Sequence, residues 1–457
     1  FPTPLDSDIK DNWVLRNQVK DFFASLRGSG SSTKLEVCSR IELSFCRWFR
    51  SAQNPDAGFI CTSGPFNIKN VLLVVSLNYR SRCMDHKFKD MTVIRQGASN
   101  GDGTVIGIKL VNGTQIHAVS VAREGFSYTG PTWAYLFENE GLTLIDAGEL
   151  GSFSKLDDGL ECAGFRAKDI QRVIITHGHE DHDGAVAELV SETGAEVWAH
   201  DIYAHLQVYD PRTIMRTAAS PLQQEMRRVA DANESFPSES PERDNYIATR
   251  KALKIDHPIQ HNEVIGDLTL LFTPGHSPDE LCMSLDGVVF TGDHVLPEIS
   301  PHPTMKANFS TDIRNNLPGQ YQDASDWYGL GTYLKSLKVV SDLGEGVQVL
   351  PAHRYFNRDH FNFINTGRAK DIIQHHGDRL SHIVDKLSHC EMGLEDLTRG
   401  IFEHRKLESN NLLAGLSEIV AHVEVLEDLG DVEVIDGVRI VSTGQRNHLE
   451  FINGLVG

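Results

Sequence analysis

The segment 176–184 reads Thr-His-Gly-His-Glu-Asp-His-Asp-Gly and governs how the rest of the chain is interpreted. Four side chains of the kind that bind divalent metal ions fall within six positions: His177, His179, Asp181 and His182. Imidazole nitrogens and carboxylate oxygens are ligands for zinc and related divalent ions. The hydrophobic run Arg172–Thr176 precedes the segment and the helical pattern Ala185–Thr193 follows it, so we expect the ligands in a turn after a strand. Packing alone gives no reason for such a run, and the segment therefore predicts a metal site.

The same segment resembles the metal-binding signature of the metallo-β-lactamase-fold superfamily. That resemblance implies further ligands downstream, each at the end of a strand and in a fixed order. Three later segments look like the later motifs of the family: Thr273–Asp279, which contains His276, Phe290–Asp293 and Leu350–His353. Upstream, Leu144–Gly148 is similar to another family motif, in which Asp146 would orient a ligand from behind. The resemblance covers about residues 92–369.

Carried over residue by residue, the resemblance implies a binuclear centre. One ion would be bound by His177, His179 and His276, and the other by Asp181, His182 and His353, with Asp293 between the two. The implied cofactors are two divalent ions, zinc first, with iron or manganese also compatible with these ligands. A metal-bound hydroxide would then attack the substrate, and Asp181 and Asp293 are the candidate catalytic residues that accept its proton. No separate serine or cysteine nucleophile is needed.

Strand and helix patterns alternate along the chain, which indicates an α/β fold. The resemblance implies an αββα four-layer sandwich for the catalytic domain, residues 92–369. An insertion at 201–258, rich in polar residues and proline, could be a lid or a solvated surface excursion. Residues 1–91 form an N-terminal region to which we assign no role. Residues 370–457 combine helices with a short hairpin, and we predict a winged-helix-like C-terminal domain.

The substrate class is predicted from a finer resemblance. The stretches Thr291–Leu296 and Ile299–Pro303, with the helical tail, are similar to the hydroxyacylglutathione-hydrolase-like (glyoxalase II-like) subgroup. This resemblance implies hydrolysis of a thioester, ester or lactone. Four residues close in sequence to ligands are candidates for substrate binding: His294, His302, Arg354 and Tyr355. Two alternatives remain open: a mononuclear iron persulfide-type dioxygenase and an RNA-processing nuclease of the same fold.

Composition sets further expectations. The formal net charge of −20 disfavours binding to nucleic acid, because such a surface repels a phosphate backbone. No apolar run reaches the roughly 18–20 residues that span a bilayer, so we expect a small-molecule substrate and no membrane association. The seven cysteines form no Cys-x-x-Cys pair and are expected to be free thiols, which predicts a cytoplasmic location. Disulfides or a small metal site among the four cysteines between 38 and 83 remain open. The sequence begins at Phe1 and leaves a targeting segment open; it is compatible with a homodimer but does not define the oligomeric state.

Overall fold

The computed structural model describes residues 88–123, 127–217, 220–233, 241–404, 406–408 and 410–457. Of the N-terminal region predicted at 1–91, residues 1–87 lie outside the described residues. So do four of the seven cysteines, Cys38, Cys46, Cys61 and Cys83. Within the described ranges no helix combines the length and the apolar character needed to cross a bilayer.

The first sheet has eight strands that are neighbours in chain order. The strands are β1 Phe88–Arg95, β2 Val105–Leu110, β3 Gln115–Val121, β4 Thr132–Glu138, β5 Leu142–Ile145, β6 Arg172–Ile174, β7 Glu196–His200 and β8 His257–Ile259. Pairs from β1 to β5 are antiparallel, and those from β5 to β8 are parallel. The carboxyl ends of the parallel strands therefore meet at one edge of the sheet.

The second sheet has five strands in the order β13-β12-β11-β10-β9. These are β9 Glu263–Ile265, β10 Leu268–Phe272, β11 Leu281–Leu285, β12 Val288–Phe290 and β13 Gln348–Leu350. Only the β12–β13 pair is parallel. Two small sheets contain β14 Phe356–Asn357 with β15 His360–Phe361, and β16 Met392–Gly393 with β17 Val432–Ile435 and β18 Arg439–Ser442.

Thirteen α-helices lie in the described ranges. They are α1 Phe153–Cys162, α2 Glu180–Asp183, α3 Val186–Thr193, α4 Asp201–Leu206, α5 Pro211–Arg216, α6 Pro221–Ala232, α7 Pro241–Ala252, α8 Thr311–Asn316, α9 Leu330–Ser341, α10 Gly367–Leu387, α11 Leu394–Ile401, α12 Asn410–Asp428 and α13 Asn447–Val456. The helix predicted to begin near residue 185 is preceded by the short α2, so three of the four residues Asp181–Gly184 are helical.

The two large sheets pack face to face, and the reason is visible in β4. Its residues alternate between two cores: Trp133, Tyr135 and Phe137 join a cluster that includes Phe290 of the second sheet. The intervening Ala134 and Leu136 join the cluster formed with α1 and α3 on the outer face. This alternation follows from the two-residue period of a strand, which sends successive side chains to opposite faces.

Helices also cover the outer face of the second sheet. Val289 of β12 and Val349 of β13 share one core with α9 and with the long helices α10 and α12. Helix α6 of the insertion reaches the same core through Leu222, Met226 and Val229, which lie three or four residues apart. The insertion is therefore helical in part and packs against the C-terminal helices.

Candidate metal centre

The candidate ligands follow the ends of strands in both large sheets. His177 comes three residues after β6, whose parallel neighbour β5 ends just before Asp146. In the second sheet, Asp293 and His353 each come three residues after the parallel neighbours β12 and β13. His276 follows β10. Because the ends of parallel neighbours lie at one edge of a sheet, the fold brings these distant segments together.

All seven predicted ligands meet in three overlapping groups. Within each group the candidate ligand atoms lie within 4.8 Å of one another. The groups are His177, His179 and His276; His177, His182 and Asp293; and Asp181, His182 and His353. The first and third match the two sets expected from the sequence, and the second joins them.

The spacing of these atoms suits divalent ions. The Nε2 atom of His353 lies 3.2 Å from Asp181 Oδ2 and 3.4 Å from Asp293 Oδ1. The other carboxylate oxygen, Asp293 Oδ2, lies 3.6 Å from His276 Nε2. Two ligand atoms at about 2.1 Å from a tetrahedral ion are separated by about 3.4 Å, so these distances match the edges of a coordination shell. Asp293 thus directs one oxygen to each group.

His177 Nε2 lies 2.9 Å from His179 Nδ1, but four other atoms that face the centre make no hydrogen bond in the described part of the chain. They are His182 Nε2, His276 Nε2, His353 Nε2 and Asp293 Oδ1, all buried. A buried polar atom without a partner costs about 1–3 kcal/mol, so a cluster of four is unfavourable unless something binds it. A pair of divalent cations fits this donor set.

In two of the imidazoles the nitrogen that faces away from the centre has a polar partner. His182 Nδ1 lies 2.8 Å from Asp146 Oδ2, and His353 Nδ1 lies 3.0 Å from the carbonyl oxygen of Pro131. Donation from Nδ1 leaves the Nε2 lone pair directed at the cluster, which is the tautomer that a metal requires. The structure therefore places Asp146 as the sequence predicted, behind a ligand.

Protonation in the centre follows burial and charge. Burial, together with His179, lowers the pKa of His276 to about 3. Burial and the neighbouring imidazoles also hold the pKa of His177 well below 6.5. Burial would raise the pKa of Asp293, but His353 and His182 outweigh it and hold that pKa below its usual range. Burial would lower the pKa of His182 and His353, but the neighbouring carboxylates, Asp293 among them, outweigh it and raise both. A cation that binds at these two histidines would therefore displace protons.

Sequence reasoning missed Glu280. Its side chain is fully buried, Oε2 lies 3.3 Å from His177 Nδ1, and Oε1 accepts a hydrogen bond of 3.2 Å from the amide of Asp293. Burial and the charge of Asp293 raise its pKa well above 4.5. Glu280 thus lies beside a histidine ligand and binds the backbone of Asp293. The one signal was a charged residue directly before the buried strand β11.

Arg123 was also missed. Its Nη1 donates to Asp181 Oδ2 at 3.1 Å, and its Nε donates to Glu149 Oε2 at 3.0 Å. The guanidinium therefore holds a ligand carboxylate that also approaches His353. Nothing near Arg123 in the sequence indicates this role, because the contact spans 58 positions.

The four candidate substrate residues lie outside the three ligand groups. His294 is fully buried, with its ring 5.1 Å from that of Tyr333. Tyr355 is fully buried against Trp133, and packing accounts for its position.

Arg354 donates to the carbonyl of Tyr128 and has its Nη1 3.7 Å from Glu298 Oε2. His302 is exposed, and its Nε2 lies 2.8 Å from Ser417 Oγ of α12. The structure thus brings together the candidate ligands and Asp146. The four substrate candidates contact protein groups outside the ligand cluster.

Comparisons with known proteins agree with this geometry. The family model for the metallo-beta-lactamase superfamily matches residues 127–353, which include all seven predicted ligands. A probable metallo-hydrolase, YqjP, of Bacillus subtilis is 24% identical over 230 residues, covering 49% of this chain and 67% of that protein.

Two solved structures are similar in fold. A metallo-beta-lactamase family protein from Thermus thermophilus has 21% identity and a TM-score of 0.51, covering 72% of this chain and 98% of its own. A beta-lactamase domain protein from Burkholderia ambifaria has 19% identity and a TM-score of 0.53, covering 77% and 98%. At this level of identity the two structures show the fold alone.

Proposed function

Because residues 127–353 belong to the metallo-β-lactamase superfamily, we propose that this protein is a binuclear metal-dependent hydrolase acting on a thioester, ester or lactone. One observation carries the proposal: two three-residue ligand groups are joined by a carboxylate whose two oxygens face different groups. A site for a single structural ion would need four ligands in one closed shell. Seven ligands in overlapping sets fit two ions with positions left open for water and substrate.

Two divalent ions bound there would supply a water of lowered pKa and stabilise negative charge on the substrate oxygen. The protein's own groups would do the rest. Asp181 and Asp293 have carboxylate oxygens at the centre and would accept the proton of the attacking water. Asp146 holds the imidazole of His182 in orientation, and Thr176 Oγ1 lies 3.1 Å from Nδ1 of His177. Arg123 restrains Asp181 from the other side.

The substrate class is supported by the resemblance of residues 291–303 and of the tail to the glyoxalase II-like subgroup. Helix α10, which leads from the catalytic domain into the tail, contacts the segment that follows Asp293. Arg368 of α10 donates to the carbonyls of Leu296 at 3.1 Å and Ile299 at 3.3 Å. We propose that α10 and α12, which contacts His302 through Ser417, form one wall of the substrate site.

A second candidate function rests on the first ligand group. His177, His179 and His276 form a complete three-histidine set on their own. Such a set could hold a single iron, as the alternative of a persulfide-type dioxygenase requires. A nuclease is the weaker alternative, because a net charge of −20 opposes binding of a polyanion.

Elemental analysis of the full chain, followed by a panel of substrates, tests the proposal. We expect about two divalent ions per chain, with zinc first, and turnover of thioesters, esters or lactones without oxygen consumption. One iron per chain with oxygen uptake on a persulfide would replace the hydrolase with the dioxygenase. Cleavage of single-stranded RNA without turnover of any ester would favour the nuclease.

A further inference from the structure

A buried polar cluster joins the insertion to the loop that carries the first ligands. Its centre is Asp183, which directly follows the ligand His182 and has a fully buried carboxylate. Tyr246 of α7 donates to Asp183 Oδ1 at 2.8 Å, and Tyr203 of α4 donates to Oδ2 at 2.9 Å. Arg250 of α7 has its Nε 3.3 Å from Oδ2. We call these four residues the Asp183 cluster.

The cluster also contacts the peptide between the first two ligands. Gly178 lies between His177 and His179, and its carbonyl accepts a bond of 3.4 Å from Tyr246. A methyl group added at Gly178 would lie 2.5 Å from Arg250 Nη2 and 2.9 Å from the ring of Tyr203. The amide of Gly178 donates to Asp279 Oδ2 at 2.8 Å. Both polar groups of this residue and the space beside its Cα are therefore occupied.

Arg250 carries a charge that is almost completely buried. Its side chain is only 5% exposed, and its guanidinium lies 5.2 Å above the ring of Tyr203. Burial of a charge is costly unless the charge is paired and closely packed. The pair with Asp183 supplies that compensation at one end of the loop 178–183. Tyr246 and Arg250 lie against Gly178 at the other end, so α4 and α7 hold both ends of the loop.

We propose that Arg250, Tyr246 and Tyr203 are positioning residues, which set the affinity of the metal centre by fixing the loop between His177 and Asp183. This inference rests on the proposed metal site but not on the substrate. The three side chains touch neither an ion nor a substrate and act through the ligands. Loss of such support from behind a ligand typically weakens metal binding about 10–100-fold.

Tyr246→Phe tests this, with Tyr321→Phe as the matched control. Both tyrosines are buried and each donates to one carboxylate, Tyr246 to Asp183 at 2.8 Å and Tyr321 to Asp201 at 3.0 Å. The measurements are the Zn²⁺ dissociation constant of the full chain, by chelator competition, and the unfolding temperature of the stripped protein. We expect Tyr246→Phe to weaken Zn²⁺ binding about tenfold, and Tyr321→Phe to leave it unchanged.

Arg250→Lys is the second variant, because lysine keeps the charge but loses the planar contact with Gly178 and Tyr203. It too should weaken Zn²⁺ binding, about tenfold. If both variants bind Zn²⁺ as tightly as the wild type, the inference is wrong even where their stripped forms are less stable. If Tyr246→Phe does not fold by circular dichroism, Tyr203→Phe decides in its place. A wild-type protein that binds no Zn²⁺ would refute the proposed function together with this inference.

Discussion

Substitution of Asp146 by asparagine should weaken the second metal position without disturbing the fold. Asp146 has φ +56°, a backbone conformation that asparagine tolerates nearly as well as aspartate. Its Oδ1 accepts a bond of 2.8 Å from the amide of Thr176, and asparagine can still accept there through its own oxygen. The amide nitrogen of the new side chain would then face His182 Nδ1.

That exchange changes what His182 can do. Nδ1 of His182 lies 2.8 Å from Asp146 Oδ2 and donates to it. An amide NH₂ in the same place is a donor, so the imidazole has to carry its proton on Nε2 instead. Nε2 is the atom directed at Asp181 and Asp293. A protonated nitrogen cannot bind a metal ion.

The size of the effect follows from the lost bond. A hydrogen bond to a charged group contributes about 1.5–3 kcal/mol, and each 1.4 kcal/mol is about tenfold in affinity. We therefore expect the second ion to bind about 10–100-fold more weakly while the first is retained. Titration of stripped protein with Zn²⁺ by calorimetry separates the two steps. Asp158→Asn, on the exposed pair with Arg95, is the control.

An Asp146→Asn protein that binds two ions with wild-type affinities would refute the assignment of Asp146 as an orienting residue. Loss of both ions together would refute the division of the ligands into two separable groups.

Three further results are expected. His179→Ala should remove the ion of the first group and abolish turnover. The circular dichroism spectrum should stay close to that of the wild type, because the side chain lies at the site and not in a core. Full turnover by this variant would refute the proposed site. Burial lowers the pKa of His422 from 6.5 to about 3, so the unfolded chain takes up a proton at a higher pH than the folded chain. The free energy of unfolding should therefore fall as the pH drops below about 6.5, by about 1.4 kcal/mol per pH unit. Chemical denaturation between pH 7 and 5 should therefore show a slope shallower by about that amount in His422→Phe, and an equal slope would exclude the neutral buried histidine. Leu416→Ala, at a fully buried position of α12, should cost about 2–5 kcal/mol of unfolding free energy without altering metal stoichiometry, as denaturation and elemental analysis together would show.

The candidate ligands could be predicted from the sequence because the motifs that contain them resemble those of a known family and occur in the same order. The strands before His276, Asp293 and His353 are β10, β12 and β13, where the resemblance implied strand ends. The ends of strands can be recognised in a sequence because turn residues and hydrophobic periodicity are local signals. The order of the motifs then specified which side chains share a site.

The support of the site could not be predicted in the same way. Tyr246 and Asp183 are 63 positions apart, and the local sequence around neither residue indicates their contact. Glu280 precedes a strand, where a charged residue is usually solvated. Tyr355 is two residues from a candidate ligand in sequence, and its side chain packs in the core between the sheets. Burial of these residues depends on tertiary contacts that a single sequence does not encode locally.

The division of the ligands between two sheets has a consequence for the whole chain. An ion held by His182 and His353 is a reversible cross-link between loops that belong to different sheets. A covalent link that closes a loop of about 100 residues removes roughly 4.7 kcal/mol of chain entropy from the unfolded state, and this link would close a longer one. Metal supply would then govern the lifetime of the folded chain as well as its chemistry. Loss of the ion would make the protein more susceptible to proteolysis, in addition to reducing its activity.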